Sequence, residues 1–331
     1  MDIPKLELAC GQLSWGNVVL FLGAGFSLGA KNLADEPVLS SKQLKERFLE
    51  LAGITDDDNV YDLQCAAEEY TKINDSDIIK VLINNFTIST PSDLHLRIAR
   101  HNFRRIYTTN YDNCFYVASA NIGSACVELD LRDKPDESRT DLNTIIHIHG
   151  MITNITQDNY ESQFYVTEPV AKPIPFTIGS MVTHFRNDLI ASDWIIFIGY
   201  SLSDPHIRAL LSDSGSAIRA KTLFIGHHSD SAPLRRRLEG FGDYYDIGLS
   251  GLIDVMERAP LQPRGASPIP NNFREVNFGG SAGPSNAARM NVRDEFLIGT
   301  LDNSNFDQRT AFATKNPYYA QRTLLAVTNP V

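Results

Sequence analysis

Apolar residues fall along this chain in two rhythms. Val18–Leu22 and Trp194–Ile198 are unbroken apolar runs, the pattern of a strand covered on both faces. Shorter strand signals stand at Arg105–Thr108, Ala125–Leu129, Thr144–Ile148, Thr222–Ile225 and Tyr244–Ile247. Between them, helical spacing marks Asp112–Ala118, Ile178–Ala191, Pro205–Leu211, Ala232–Glu239 and Leu252–Arg258. Strands alternating with helices predict crossovers that bring successive strands back parallel, and hence a doubly wound, mostly parallel α/β sheet.

Two segments break this alternation. From Ala30 to His101 the apolar spacing is helical throughout, at Lys42–Leu51, Tyr61–Tyr70, Ser76–Phe86 and Ser92–His101, so residues 31–102 read as a helical insertion with no strand of its own. After Arg258 the prolines at 260, 263, 268 and 270 and the run Gly279–Pro284 predict a linker or extended arm. Asp294–Leu301 and Tyr318–Val327 have helical spacing but too few apolar positions for an independent core. The expected organisation is a domain over 1–258 and a docking or oligomerisation segment over 259–331.

Composition narrows the function. A hydrophobic fraction of 43% and a charged fraction of 21% are those of a folded soluble protein. The net charge of −10 opposes direct nucleic-acid binding, and the arginine clusters at 97–105 and 235–237 are expected to be solvated faces. The apolar runs are far shorter than the roughly 20 residues that span a bilayer, so no membrane association is expected. Cys10, Cys65, Cys114 and Cys126 lie too far apart for a tetrahedral zinc site, which leaves no expected metal and points to free thiols in a reducing cytoplasm.

Four constellations stand at strand ends, where an open α/β sheet binds its ligands. Gly23-Ala24-Gly25-Phe26-Ser27 lets backbone come close to a diphosphate, or simply makes a tight turn. It departs from the dehydrogenase fingerprint, because the third glycine is one place late and the second strand with its acidic end is replaced by the amphipathic Leu44–Leu51. Thr108-Thr109-Asn110-Tyr111-Asp112 directs Asn110 and Asp112 toward the crevice, or caps a helix. His149-Gly150 ends an apolar strand whose alternation puts His147 and His149 on one face, His147 suiting a structural role. Gly199-Tyr200-Ser201-Leu202-Ser203-Asp204 offers Ser201 and nearby amides to a second phosphate or a ribose.

Taken in order, these segments resemble the sirtuin family, with its GAGxS turn, T-x-N-x-D segment, His-Gly pair and G-x-S-L turn, over roughly residues 15–257. The resemblance implies a Rossmann-like domain with NAD as substrate and no metal. It implies that Gly23, Ala24, Gly25, Ser27, Thr109, Gly199, Ser201 and Leu202 bind NAD, Ala24, Gly25 and Ser27 at the diphosphate. Asn110 would order water and the nicotinamide ribose, Asp112 would hold the carboxamide and His149 would be the general base. No cysteine stands between Met151 and Met181, where deacylating sirtuins carry a zinc ribbon, and Thr109 and Tyr200 replace their usual Gln and Thr. The pattern looks more like bacterial sirtuin-like NAD hydrolases of antiphage defence. It implies a homo-oligomer held by a regulatory partner, such as an ATPase or phage-sensing subunit. An NAD-dependent protein deacylase and a non-enzymatic NAD or ADP-ribose sensor are the alternatives.

Overall fold

The computed structural model describes residues 4–56, 60–124, 126–130, 143–156, 180–213 and 215–260. Within them the chain builds one large sheet, one two-stranded ribbon and ten α-helices. The elements are α1 (Pro4–Gly11), β1 (Val18–Leu22), β2 (Lys31–Asn32), α2 (Ser41–Ala52), α3 (Leu63–Phe86), β3 (Ile88–Thr90), α4 (Asp93–Ile98), β4 (Arg105–Thr108) and α5 (Cys114–Asn121). They continue with β5 (Glu128–Asp130), β6 (Ile145–His147), α6 (Ser180–Ala191), β7 (Trp194–Ile198), α7 (Pro205–Asp213) and α8 (Gly215–Ala220). β8 (Thr222–Gly226), α9 (Ala232–Glu239), β9 (Asp243–Asp246) and α10 (Gly248–Arg258) complete the series.

The seven-stranded sheet has the order β5-β6-β4-β1-β7-β8-β9, with every pairing parallel. Its apolar runs are continuous because both faces are covered. Val18, Leu20, Leu22, Ile106, Ile196 and Ile198 join one core with residues of α1, α4, α5 and α10. Val19, Phe21, Tyr107, Ile195 and Phe197 join the other with residues of α6, α7, α8 and α9. This is the doubly wound, Rossmann-like architecture expected from the alternation. After β1 the chain builds outward on one side, then returns across it to β7, so the reversal in strand order falls beside β1, where such sheets open a crevice.

The insertion has a core of its own. Leu44, Phe48 and Leu49 of α2 pack on Ala66, Ala67, Tyr70, Ile78 and Leu82 of α3, and Ile152 and Ile155 from the segment after His149 complete the cluster. Ser40 caps α2 in a capping box with Gln43. The two helices expected at Tyr61–Tyr70 and Ser76–Phe86 are present, joined as α3, which starts at Leu63 and kinks between them where Asn74 leaves helical geometry (φ −152, ψ 76). The expectation of no strand fails. The insertion also holds the antiparallel pair β2–β3, too short to show period-two alternation and secured by side chains: Asn113 accepts from the Ile88 amide, and Ser89 donates to Asn32 O.

Elsewhere the strand at Ala125–Leu129 is observed as Glu128–Asp130, β9 begins one residue early, and α10 begins at Gly248 rather than Leu252. α5 starts at Cys114 instead of Asp112, because the Asp112 carboxylate accepts from the Cys114 amide and so ends the preceding turn. α1 has no counterpart among the expected elements. The arm at 259–331 lies, beyond residue 260, outside the described residues. Among those described, no helix is long and apolar enough to cross a membrane.

The arginine clusters are not simply solvated. Asp188, itself buried, accepts from Arg104 at 2.7 Å and from the Tyr107 hydroxyl at 2.7 Å and pairs with Arg105 at 2.6 Å, while Arg97 bridges Asp254 and Glu257. Arg235 pairs with Asp246 and lies over the Tyr244 ring, leaving Arg236 and Arg237 exposed. The sequence run hid these partners because each acidic group comes from a distant segment.

β1 and β7 leave the sheet through backbone in direct contact. A Cβ on Gly23 would stand 2.5 Å from Gly199 O, one on Gly25 2.8 Å from Gly199 Cα, and one on Gly199 2.4 Å from Phe26 N, with Gly199 at φ +61 besides. Gly199→Ala is therefore expected to lower the unfolding free energy by about 2–5 kcal/mol, combining overpacking with a left-handed backbone. Gly29→Ala, at φ +85 with nothing within 4 Å, meets only the backbone term of about 1–2 kcal/mol. Urea denaturation of the two variants checks the difference, and equal losses would show that the contact is unimportant.

Candidate functional site

The four strand-end segments belong to four consecutive strands, β6-β4-β1-β7, and all lie at the carboxyl edge of the sheet. Two backbone bonds lock the first to the last of the sequence: Gly23 N donates to Ile198 O at 2.9 Å and Gly25 N to Gly199 O at 3.0 Å. Ala24 and Gly25 are exposed, whereas Phe26 and Ser27 turn inward. The glycines thus serve the loop contact first, and this task was not legible from the turn alone.

Asn110 closes the next link. Its Nδ2 donates to Gly23 O at 2.9 Å and to Ser27 Oγ at 3.1 Å; Ser27 in turn donates to Asp112 Oδ2 at 2.7 Å. Because a carbonyl only accepts, the amide orientation is fixed, and Oδ1 is the polar atom of Asn110 that no residue among those described engages. The backbone of Asn110 is set by Thr108, whose Oγ1 accepts its amide at 2.9 Å and donates to Leu22 O at 3.2 Å. The Thr109 amide reaches Leu22 O as well. Asp112 is buried with both oxygens engaged, Oδ1 by the Cys114 amide at 3.0 Å. Burial pushes its carboxyl up, against the hydrogen bonds from Ser27 and Cys114.

Two buried histidines hold this network, one neutral and one charged. His95 of α4 accepts the Ser92 amide at Nδ1 (3.0 Å), so Nε2 carries the hydrogen it donates to Phe26 O at 2.7 Å; burial lowers its pKa. His147 faces acceptors on both sides, Asn110 O at 3.1 Å from Nδ1 and Glu128 Oε1 at 3.0 Å from Nε2. Satisfying both takes two N–H groups, hence an imidazolium. Burial alone would lower the His147 pKa, but the bond and charge of Glu128 and the Asn110 carbonyl outweigh it, and the net shift is upward.

His149 has its Nε2 2.8 Å from Asp204 Oδ2, with a quarter of the side chain exposed. Ser201 donates to Ser203 Oγ at 3.2 Å, and Leu202 is fully buried in a left-handed conformation (φ +53) with its carbonyl held by Arg208. The Tyr200 ring packs on Phe21, and its hydroxyl is buried without a hydrogen-bond partner among the described residues. The structure thus joins Gly23, Gly25, Ser27, Asn110, Asp112 and Gly199 in one contact network. His149 meets the β7 loop through Asp204, and Ser201 has no bond to either group. Asp204, Glu128 and His95 were not singled out from the sequence. Asp204 directly precedes Pro205 and reads as a helix cap; Glu128 and His95 carried no motif.

Residues 104–244 match the family model of the SIR2-like domain. Over that span the chain is similar to SIR2-like domains. The match begins just before β4 and ends within β9, taking in Asn110, Asp112, His149 and Ser201. No curated protein matches the chain. Similar solved structures include a Sir2 homologue in complex with NAD, at 15% identity over 78% of this chain and 94% of that one, with a TM-score of 0.45. A Sir2 enzyme is similar at 13% identity over 78% and 98%, TM-score 0.42. A triply substituted Sir2 homologue with 2′-O-acetyl-ADP-ribose is similar at 16% over 78% and 96%, TM-score 0.42.

The charged His147 gives the fold a pH-dependent stability. A folded-state pKa raised above the ordinary 6.5 contributes fully below that value and is lost as pH rises through the raised pKa. Glu128→Gln is expected to cost about 3–5 kcal/mol at pH 5.5 and clearly less at pH 9. Chemical denaturation at the two values measures this, and a pH-independent loss would mean that His147 is neutral.

Proposed function

We propose that this protein hydrolyses NAD to nicotinamide and ADP-ribose. The observation that supports the reading is that Asn110, with Oδ1 left to bind, and His149, backed by a carboxylate, follow neighbouring strands at the carboxyl edge of one sheet. Cleavage breaks the bond between C1′ and the nicotinamide nitrogen, and the electron pair leaves with nicotinamide, neutralising its ring. Water forms the new C1′–O bond and yields its proton to His149, a type of side chain suited to proton transfer near neutral pH.

In this reading Asn110 orders the water and the nicotinamide ribose. Asp112 holds Asn110 in place through Ser27, in addition to the carboxamide contact that the family resemblance implies. Ala24 and Gly25 meet the diphosphate on the exposed side of the turn, with Gly23, Ser27 and Thr109 beneath it. Gly199 and Ser201 face the second phosphate or the adenosine ribose, whereas the expected contact from Leu202 is not available, because that residue is fully buried. Hydrolysis is favoured over deacylation by the lack of any cysteine between Met151 and Met181 and by Tyr200 in place of the small residue of the deacylase turn. We read residues 1–258 as the catalytic domain of a cytoplasmic, oligomeric antiphage effector that depletes NAD. Residues 259–331 are its docking segment for assembly or for a regulatory partner.

Incubation with NAD, with and without acetylated peptide, followed by mass spectrometry of the products, tests the reading. Peptide-independent ADP-ribose is expected, reduced at least about 100-fold in Asn110→Ala and His149→Ala. Acetyl-ADP-ribose formed only with peptide would identify a deacylase instead.

A further inference from the structure

We propose that Asp204 is the positioning residue of His149, fixing which ring nitrogen carries the proton and how the imidazole stands in the crevice. The proposal rests on the reading of His149 as proton acceptor in NAD hydrolysis, and deepens it.

A carboxylate only accepts, so the 2.8 Å contact requires a hydrogen on Nε2. In the neutral ring the lone pair then lies on Nδ1. When the ring takes up a proton, Nε2–H stays on Asp204, and the carboxylate faces the new positive charge. The aspartate of a Ser-His-Asp triad holds its histidine by the same logic.

Asp204 is itself held rigidly. Its Oδ1 caps α7, accepting from the His206 amide at 2.7 Å and from that of Ile207 at 3.4 Å, which leaves Oδ2 for the imidazole. α7 is anchored by Ile207, Leu210 and Leu211 in the core. Burial would raise the Asp204 pKa, but the bonds from His149 and the two amides hold it below the usual carboxylate range, so it remains an anion.

The position of the pair in the sheet adds to the argument. His149 follows β6 and Asp204 follows β7, and these strands are separated by β4 and β1. At about 4.8 Å per strand spacing, their ends stand roughly 14 Å apart. The bond therefore joins the loops after β6 and β7, whose strands flank the two, β4 and β1, that lead into the Asn110 loop and the glycine turn. A contact serving α7 alone would need only Oδ1.

The test compares wild type with Asp204→Asn, which keeps a capping oxygen but loses the obligatory acceptor, and with Asp204→Ser, which keeps a cap and withdraws the group. With ¹⁵N-labelled histidine, and His149→Ala to assign the signal among the eight histidines, wild type is expected to show His149 protonated at Nε2. Both variants are expected to lose that preference while retaining the far-ultraviolet circular dichroism of the wild type. The kcat for nicotinamide release is expected to fall about 10²–10⁴-fold, with KM for NAD within about twofold. An unchanged nitrogen pattern in Asp204→Asn, or an unchanged kcat, overturns the proposal. If wild type releases no nicotinamide even in infected-cell lysate, the hydrolase reading fails, and the nitrogen spectra alone decide the role of Asp204.

Discussion

The site depends on a place where two backbones touch. Between the turn after β1 and the turn after β7 there is no room for a side chain at Gly23, Gly25 or Gly199. Their contact aligns Gly23 O, which Asn110 then grips through its amide nitrogen. Because that grip consumes both amide hydrogens on inward-facing acceptors, the orientation of Asn110 is decided by packing before any ligand arrives. Strand order does the rest, since only the sequence β6-β4-β1-β7 brings the four loops side by side.

Three histidines illustrate how surroundings give one type of side chain three different settings. His95 is kept neutral by burial and an amide donor, and becomes a fixed strut under Phe26. His147, equally buried, is charged because both of its neighbours accept. His149 alone keeps substantial solvent contact, and it faces an aspartate whose other oxygen already ends a helix. The two buried rings hold the loops still, whereas the third stands half-buried at the carboxyl edge of the sheet.

Much of this was legible in advance where a local pattern has a local cause. Five-residue apolar runs announced β1 and β7, and the strand-end positions of Asn110, His149 and Gly199 followed from the sheet. What escaped was set by distant partners. Asp188 lies 84 residues from Arg104, Glu128 meets His147 across adjacent strands, and Asp204 is 55 residues from His149. Asp204 shows the limit most clearly: an aspartate before a proline announces a helix start, and its second oxygen has no signature along the chain. The ribbon β2–β3 failed for another reason, since strands of two and three residues are defined by the groups that bind them rather than by their own alternation.

The helical insertion, finally, is not a detachable module. Its core is closed by Ile152 and Ile155, two and five residues past the His149-Gly150 pair. Excising α2 and α3 would return those two isoleucines to water at about 1.5–3 kcal/mol each and untether the chain just beyond His149. The lobe and the loop that bears the histidine therefore share one core, and a change of side-chain volume at 152 or 155 is felt on both sides of it.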